Sequence, residues 1–261
     1  MSRLDDEPIL RVEGLRKFFG RRAVCDGISF DLWPGEVLAV VGESGAGKTS
    51  LLKCLSGQMP IDGGSAFYRR ADGREIDIAA CDETMLKRLQ RTEWGLVHQN
   101  PRDGLRFGVS AGANVGERLM ALGARHYANI RSEASDWLER LEISSARIDD
   151  RPAQFSGGMQ QRLQIARNLV TKPRLVVMDE PTGGLDVSVQ ARLLDLLRVL
   201  VRDLGLAAVL VTHDLAVARL LADRLLVMKD GKAIELGLVD QVLDDPQSAY
   251  AQLLVSSVLQ I

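Results

Sequence analysis

The chain has 261 residues, of which 46% are apolar and 26% charged, with a formal net charge of −2. These totals predict a globular protein with a sizeable core, and the absence of a Lys/Arg-rich run argues against nucleic acid as a partner. The N-terminal MSRLDDEPIL lacks the apolar core of a signal peptide, and no apolar run reaches the roughly 18–20 residues that span a bilayer, so we expect a cytoplasmic chain without direct membrane insertion.

Strands and helices alternate along the first hundred residues. Period-2 alternation predicts strands at ILRVEGL and ISFDLW, and the β-branched run EVLAVV predicts a buried strand. A helix is predicted to begin at Lys48 and to end at Gly57, where glycine favours termination. GGSAFYRR and WGLVHQ are predicted to be further strands.

Between Pro101 and about Ile165 the pattern becomes helical. Apolar residues such as Trp137 and Leu141 recur at helical spacing and β-branched runs are absent, which predicts an inserted helical subdomain. The alternation then resumes with a strand at LVVMDE, a helix at VSVQARLLDLLRVLVRDL, a strand at AAVLVTH, a helix at LAVARLLA, a hairpin at RLLVMKDGKAIELG turning at Asp230-Gly231, and a helical tail at SAYAQLLVSSVL. Such alternation predicts an α/β fold with a mostly parallel sheet.

The run GESGAGKTS matches the phosphate-binding loop G-x-x-x-x-G-K-[ST]. A chance glycine-rich turn is the alternative, but this run follows a predicted buried strand and opens a predicted helix, as phosphate binding requires. Lys48 is expected to neutralise phosphate charge and Thr49 to ligate Mg²⁺. The nucleotide contacts expected from this loop are Gly42, Glu43, Ser44, Gly45, Ala46, Gly47, Lys48, Thr49 and Ser50.

Two acidic residues end the apolar strand LVVMDE. Asp179 suits a Mg²⁺ position and Glu180 could polarise an attacking water, since phosphoryl transfer depends on positioning and charge neutralisation. The pair would be weak evidence alone and becomes strong beside the phosphate loop.

FSGGMQQR is a second helix start suited to phosphate. Taken alone, the simpler interpretation is that Ser156 is an N-cap and that Gly157 and Gly158 form the turn. One nucleotide does not need two such helix starts from the same chain.

In order along the chain, these motifs resemble those of ABC-type ATPases, and the resemblance covers nearly the whole sequence. It implies an α/β P-loop NTPase fold with N-terminal antiparallel strands, and two ATP molecules held between two head-to-tail chains. The Ser-Gly-Gly of one chain would then face the γ-phosphate bound by the other. The expected organisation is a single domain, 1–261, with an α/β core at 7–99 and 166–240, a helical subdomain at 100–165 and a tail at 241–261.

Further site residues follow from the resemblance alone. Phe19 matches an aromatic that stacks on adenine, with Phe18 as a substitute, and Gln99 matches a residue linking Mg²⁺ and water to the helical subdomain. Asp186 matches an acid that couples the two sites, and His213 a γ-phosphate sensor. The resemblance thus implies three sets, which are catalytic residues Glu180, His213, Gln99 and Lys48; metal-binding residues Thr49, Gln99 and Asp179; and nucleotide-binding residues Phe19, Gln99, Ser156, Gly157, Gly158 and Asp186 besides the loop.

Phe155 and Met159 depart from the common leucine and glutamine that flank the Ser-Gly-Gly. The serine hydroxyl and the glycine N–H groups are unaffected, so only the contacts of the common glutamine are in doubt. His98 and Trp137 are interpreted as packing residues. Three scattered cysteines, Cys25, Cys54 and Cys81, are interpreted as reduced, mostly packed thiols.

The partner is suggested by longer resemblances. DEPTGGLDVSVQARLLDLL and DDPQSAYAQLL resemble the oligopeptide- and nickel-import ATPases, which dock on a membrane permease. RTEWGLVHQNPRDGL, GERLMALGARHY and FSGGMQQRLQIARNLV resemble the ATPase subunits of bacterial carbon–phosphorus lyase systems, which act in phosphonate breakdown. We take the second as the leading hypothesis, and an ATP-binding subunit of an oligopeptide-, nickel- or phosphonate-type importer, docked on a separate permease, as the alternative. DNA-repair ATPases fit poorly because the interval from Gln99 to Ser156 has no heptads.

The passage VHQNPRDGLRFGVSAGANVGE runs from Val97 to Glu117, contains Gln99 and is predicted to carry the partner contact. In importers the equivalent surface receives a coupling helix of the membrane protein. Residues 100–117, with Arg102, Arg106 and Phe107 as candidate contacts, are expected to meet the core subunits of the lyase. The alternative is that both arginines are simply solvated.

Overall fold

The structure is a computed structural model that describes residues 7–258. Two sheets lie within this range. Their strands are β1 (Leu10–Phe19), β2 (Arg22–Leu32), β3 (Val37–Val41), β4 (Gly63–Arg69), β5 (Glu75–Asp77), β6 (Trp94–Val97), β7 (Leu175–Asp179), β8 (Ala207–Val211), β9 (Arg224–Lys229) and β10 (Lys232–Leu238).

The larger sheet has the strand order β10-β9-β3-β8-β7-β6. All its pairings are parallel except the antiparallel β9–β10 hairpin. The smaller sheet, β2-β1-β4-β5, is antiparallel. The predicted fold class, a mostly parallel core with N-terminal antiparallel strands, is confirmed.

Helices connect and cover the strands. They are α1 (Lys48–Leu55), α2 (Glu83–Thr92), α3 (Pro101–Gly104), α4 (Ala111–Ala121), α5 (Tyr127–Arg140), α6 (Gly157–Leu169), α7 (Val187–Leu204), α8 (Leu215–Leu221), α9 (Val239–Asp244) and α10 (Ala249–Val258). Short 3-10 turns lie at Ser145–Arg147 and Pro152–Gln154. Among the helices in residues 7–258, none has the length and apolar character that a bilayer crossing needs.

The central strand β3 separates two apolar layers. Its five residues are all buried, and alternate side chains point to opposite faces. Val37, Ala39 and Val41 pack in one core cluster, whereas Leu38 and Val40 pack in the other. A strand buried on both faces is therefore apolar throughout, which explains why EVLAVV shows no polar alternation.

The helical passage between Pro101 and Ile165 is present as predicted. Helices α4, α5 and α6 pack on one another, with Trp137 and Leu138 buried among them. Three elements escaped sequence reasoning, namely β5, α2 and α9. β5 and α9 are short, and α2 fully buries only Leu89.

The hairpin of β9 and β10 turns at Asp230 and Gly231, as the Asp-Gly pair predicts. Both residues have positive φ, 48° and 79°, which two-residue hairpin turns require. The Gly231 N–H donates to the carbonyl of Ala46, 3.0 Å away, and the Gly231 carbonyl accepts from Asp26 at 2.7 Å. The turn therefore supports the phosphate loop from outside.

Candidate active site

The phosphate loop joins the end of β3 to the start of α1, and two of its glycines have no substitute. At Gly42, with φ of 150°, an added Cβ would lie 2.1 Å from the Met228 carbonyl oxygen. At Gly47, with φ of 103°, it would lie 2.0 Å from the carbonyl oxygen of Val24. The loop can follow this path only because both residues lack a side chain.

Lys48, which begins α1, is buried within this loop. Its Nζ donates to the carbonyl oxygens of Gly42 at 2.7 Å and Glu43 at 2.8 Å. Burial lowers the pKa of Lys48, and the carboxylates of Glu180 and Asp179 oppose that shift. The ammonium group is therefore already desolvated where phosphate charge would be neutralised.

Three functional side chains follow three neighbouring parallel strands. Gln99 lies just beyond β6, Glu180 just beyond β7 and His213 just beyond β8, so they meet at one edge of the sheet. Gln99 Nε2 donates to Glu180 Oε2 at 2.8 Å, and His213 Nδ1 lies 3.0 Å from Glu180 Oε1. Both oxygens of the Glu180 carboxylate are thereby oriented.

Two side chains that could bind a metal through oxygen, Thr49 and Asp179, lie beside the Glu180 carboxylate. The Thr49 hydroxyl donates to Asp179 Oδ1 across 3.4 Å. Burial raises the pKa of Asp179, because the charged carboxylate is partly desolvated. Hydroxyl and carboxylate oxygens are ligands suited to Mg²⁺, and a divalent cation would offset the cost of that buried charge. The residues present therefore fit the metal.

Half of the predicted site residues line a single cleft of about 580 Å³. The cleft is lined by Arg22, Val24, Ser44, Gly45, Gly47, Lys48, Thr49, Ser50, Gln99, Glu180 and His213. Sequence reasoning missed Arg22 and Val24, which belong to β2 and carry no motif. Phe19 is 53% exposed and pairs across the β1–β2 hairpin with Arg22, so it lies beside the cleft rather than in its wall.

The Ser-Gly-Gly start of α6 lies outside that lining. Ser156 and Gly157 are exposed, and the Ser156 hydroxyl accepts the Met159 N–H at 3.4 Å, as an N-cap does. Asp186, which precedes α7, is also exposed, and its side chain makes no capping hydrogen bond. These residues are therefore available to another molecule.

The two departures from the common signature pack under a single arginine. The Arg147 guanidinium lies 4.4 Å from the centre of the Phe155 ring, and its Nη1 donates to the Met159 sulfur at 3.6 Å. Phe155 is buried, and Met159 is partly buried against the core. Both side chains are thus accommodated inside the subdomain.

A polar stripe on the buried face of α6 was also missed. Gln164 brackets one residue of the Gln99 segment: its Oε1 accepts the His98 N–H at 2.6 Å and its Nε2 donates to the His98 carbonyl at 3.0 Å. Gln161 donates to the same carbonyl at 3.2 Å, and Asn168 accepts the Leu96 N–H at 3.0 Å. The signal was visible, since amides three and four positions apart interrupt an apolar helix face.

The residues interpreted as packing groups are packed. Burial lowers the pKa of His98 and raises those of Cys25, to about 12, and Cys54, to about 11, so these thiols stay protonated near neutral pH. Cys81 is half-buried, and Trp137 is in the core.

The surface passage 100–117 is internally braced. The Arg102 guanidinium lies 5.2 Å from the centre of the Phe107 ring. Arg106 and Arg167 each contact a different oxygen of Glu117, at 3.0 and 2.8 Å. Arg102 and Arg106, which are both exposed, therefore have partners within the chain and are held in place.

A glycine-rich loop opening a helix, with polar groups at the ends of adjacent parallel strands, defines a P-loop nucleotide hydrolase. The family model described as ABC transporter matches residues 25–183. The chain belongs to this family of ATP-binding cassettes and is an ATPase.

Relatives and solved structures agree with this assignment. The phosphonates utilization ATP-binding protein PhnK of Escherichia coli is 62% identical, over 98% of this chain and 99% of its own length. The dipeptide transport ATP-binding protein DppF of Escherichia coli is 37% identical, over 96% and 76%. The dimeric cassette MJ0796, bound to ADP and Pi in a post-hydrolysis state, has a TM-score of 0.78 at 27% identity, over 88% of this chain and 98% of that one.

Proposed function

We propose that this ATPase closes as a dimer around two ATP molecules and drives a carbon–phosphorus lyase core. The observation that carries the dimer is the position of Ser156, Gly157 and Asp186, which are exposed and lie outside the cleft that holds Lys48 and Glu180. A helix start suited to phosphate has no nucleotide to contact within its own chain. A second copy would supply one, and the dimeric state of MJ0796 supports this arrangement.

The chemistry assigned to the cleft is hydrolysis of the γ-phosphate. A water attacks the γ-phosphorus, the bond to the β-phosphate oxygen breaks, and ADP and phosphate leave. Glu180 would orient that water and accept its proton, because Gln99 and His213 hold both carboxylate oxygens in place. Lys48 would neutralise the phosphate charge.

Thr49 and Asp179 would hold Mg²⁺, with Gln99 close by. Among residues 7–258, no cluster of three or more His, Cys, Asp or Glu side chains could form a metal cage. Mg²⁺ in such sites keeps several waters and shares its ligands with substrate phosphates, so two protein oxygens are an adequate set. Bound Mg²⁺ would supply charge neutralisation at the phosphate oxygens.

Similarity to PhnK across almost the full length of both chains supports the phosphonate assignment. The coupling surface would be residues 100–117, because this segment follows Gln99 directly and is braced by the Arg102–Phe107 and Arg106–Glu117 contacts. A γ-phosphate signal received at Gln99 could therefore reach a partner through a stiff segment. A second candidate function is that of a peptide-type importer subunit docked on a permease. It is supported by the 37% identity to DppF, which is lower than the 62% identity to PhnK.

Glu180→Gln tests the ATPase assignment. It keeps the shape of the side chain and one accepting oxygen but loses the basic carboxylate, so kcat should fall about 100-fold or more while ATP binding is retained. The variant should accumulate as an ATP-bound dimer in size-exclusion chromatography. Normal turnover would refute the role of Glu180 in hydrolysis. A chain that remains monomeric with ATP bound would refute the dimer.

Affinity capture from cells grown on a phosphonate tests the partner. The Glu180→Gln chain should recover carbon–phosphorus lyase subunits, and Arg102→Ala combined with Phe107→Ala should weaken that recovery at unchanged ATP binding. Arg140→Ala is the matched control, since Arg140 is exposed on α5 and also makes a cation–π contact, with Trp137. Recovery of a membrane permease in place of lyase subunits would favour the importer assignment.

A further inference from the structure

The C-terminal helix α10 reaches the phosphate loop. Tyr250, in its first turn, is only 8% exposed, and its hydroxyl accepts the backbone N–H of Glu43 at 3.2 Å. These two residues are 207 positions apart in the sequence. The tail of the chain is thus in direct contact with the loop that binds phosphate.

This contact is held by a built docking site. The Glu235 carboxylate on β10 accepts the N–H groups of Gln247 and Ser248, both at 2.8 Å. The Ser248 hydroxyl accepts the Ala251 N–H at 3.1 Å and so caps the helix. The start of α10 is therefore fixed to the sheet just where Tyr250 leaves it.

The Tyr250 ring is fixed as well. Lys229 Nζ lies 4.6 Å from the ring centre, in a cation–π contact, and the ring packs in the apolar core. Lys229 ends β9, and the neighbouring Met228 is the residue whose carbonyl oxygen leaves no room for a side chain at Gly42. The hydroxyl is thus aimed at the loop by elements that also shape it.

Tyr250 and Lys48 hold the same peptide unit from its two ends. In the peptide joining Gly42 to Glu43, the carbonyl accepts from Lys48 Nζ at 2.7 Å and the N–H donates to Tyr250. Bound ATP draws on the same Lys48 ammonium, because this lysine also pairs with phosphate oxygens. When ATP is bound, the Lys48 ammonium shares its N–H donors between the phosphate and the Gly42 carbonyl. The Tyr250 hydroxyl then continues to fix the orientation of this peptide.

We propose that Tyr250 is a positioning residue for ATP, and that α10 is a structural part of the phosphate site. Tyr250 touches the loop and not the reacting atoms. Its hydroxyl keeps the Gly42–Glu43 peptide in the orientation that lets the loop close around phosphate. The role concerns the ATPase reaction itself and holds whichever complex the chain drives.

The test is Tyr250→Phe, which keeps the ring, its packing and the contact with Lys229 but removes the acceptor. Since one neutral hydrogen bond is lost, the KM for ATP and the Kd for a fluorescent ATP analogue should rise about 3- to 10-fold. The kcat should change less than about twofold, and the thermal unfolding midpoint should stay within about 2 °C of the wild type. Tyr127→Phe, which alters a 71% exposed tyrosine on α5, is the matched control.

A second variant tests the anchoring of α10 by Glu235. Glu235→Gln replaces one of the two accepting oxygens with a donor, so it should loosen the start of α10 and raise the KM in the same direction. Wild-type KM in Tyr250→Phe would overturn the proposal, as would a fall in kcat at unchanged KM. A rise in KM for Tyr250→Phe without any rise for Glu235→Gln would overturn the part assigned to the helix.

Discussion

At the scale of single residues, Glu180 shows what a motif does not reveal. Its φ of 44° lies in the left-handed region, which costs a non-glycine residue about 1–2 kcal/mol. Main-chain bonds hold it there, with its N–H donating to Val211 and its carbonyl accepting from Gly183, both at 2.9 Å. The carboxylate could be predicted from the sequence, whereas its conformation depends on backbone contacts that the sequence does not display.

Asp179 gives a prediction about pH and metal. Its pKa is raised in the folded chain, so it stabilises the fold at low pH and loses that contribution as the pH rises through the folded pKa. Near neutral pH the charged carboxylate therefore opposes folding. Asp179→Asn keeps an acceptor for Thr49, and we expect a higher thermal unfolding midpoint without nucleotide, with a gain that grows from acidic to neutral pH.

The same substitution removes a proposed Mg²⁺ ligand, so kcat should fall by about 100-fold or more. Thermal unfolding in the presence and absence of ATP and Mg²⁺ measures both effects. Asp195→Asn, at an exposed position of α7, is the control for loss of one charge. An unfolding midpoint that falls in Asp179→Asn without nucleotide would contradict this account.

At the scale of elements, predictability follows burial. Helix α7 has the bounds predicted from its apolar stripe, Val187–Leu204, and it buries Leu193, Leu194 and Leu197 on one face. Helix α2 escaped because only Leu89 is buried, although Asp82 caps it by accepting the Met85 N–H at 2.7 Å. The signal was nevertheless present, since Met85, Leu86 and Leu89 recur at helical spacing and contact the core.

Gly104 tests the coupling of α6 to the Gln99 segment. An added Cβ there would lie 2.3 Å from Gln164 Oε1, which is the atom that accepts the His98 N–H. Gly104→Ala should therefore displace the Gln164 amide and lower the free energy of unfolding by about 1–3 kcal/mol in urea titration. Gly108→Ala, with open space around its Cβ, is the control. Equal stability of the two variants would contradict the proposed coupling.

At the scale of the whole molecule, the sequence predicts one half of the site better than the other. Residues 42–50 and Glu180 could be grouped from their motifs, because the ends of parallel strands meet at one sheet edge, and Gln99 and His213 joined them through the resemblance. Ser156 and Asp186 could be grouped with them only through a resemblance, because their proposed partner is another chain.

Mixed dimers test this arrangement. Lys48→Ala removes the phosphate lysine of its own cleft, and Ser156→Arg would block the site that its partner holds. A mixed dimer should retain one site with both residues intact, so the mixture should hydrolyse ATP faster than either variant alone. Activity no higher than that of the separate variants, together with no ATP-dependent association between them, would contradict action across two chains.

The phosphate loop lies early in the sequence, but the elements that complete its surroundings, β8, β9 and α10, are synthesised much later. Among residues 7–258, the strands that pair with β3 are β8 and β9, and Tyr250 follows later still. A nascent chain on the ribosome therefore carries the complete GESGAGKTS motif long before it has a working loop. Because ligands stabilise only states that bind them, ATP cannot act as a folding ligand during most of synthesis. The cellular nucleotide pool thus favours chains that have been synthesised through α10 over chains that stop before it.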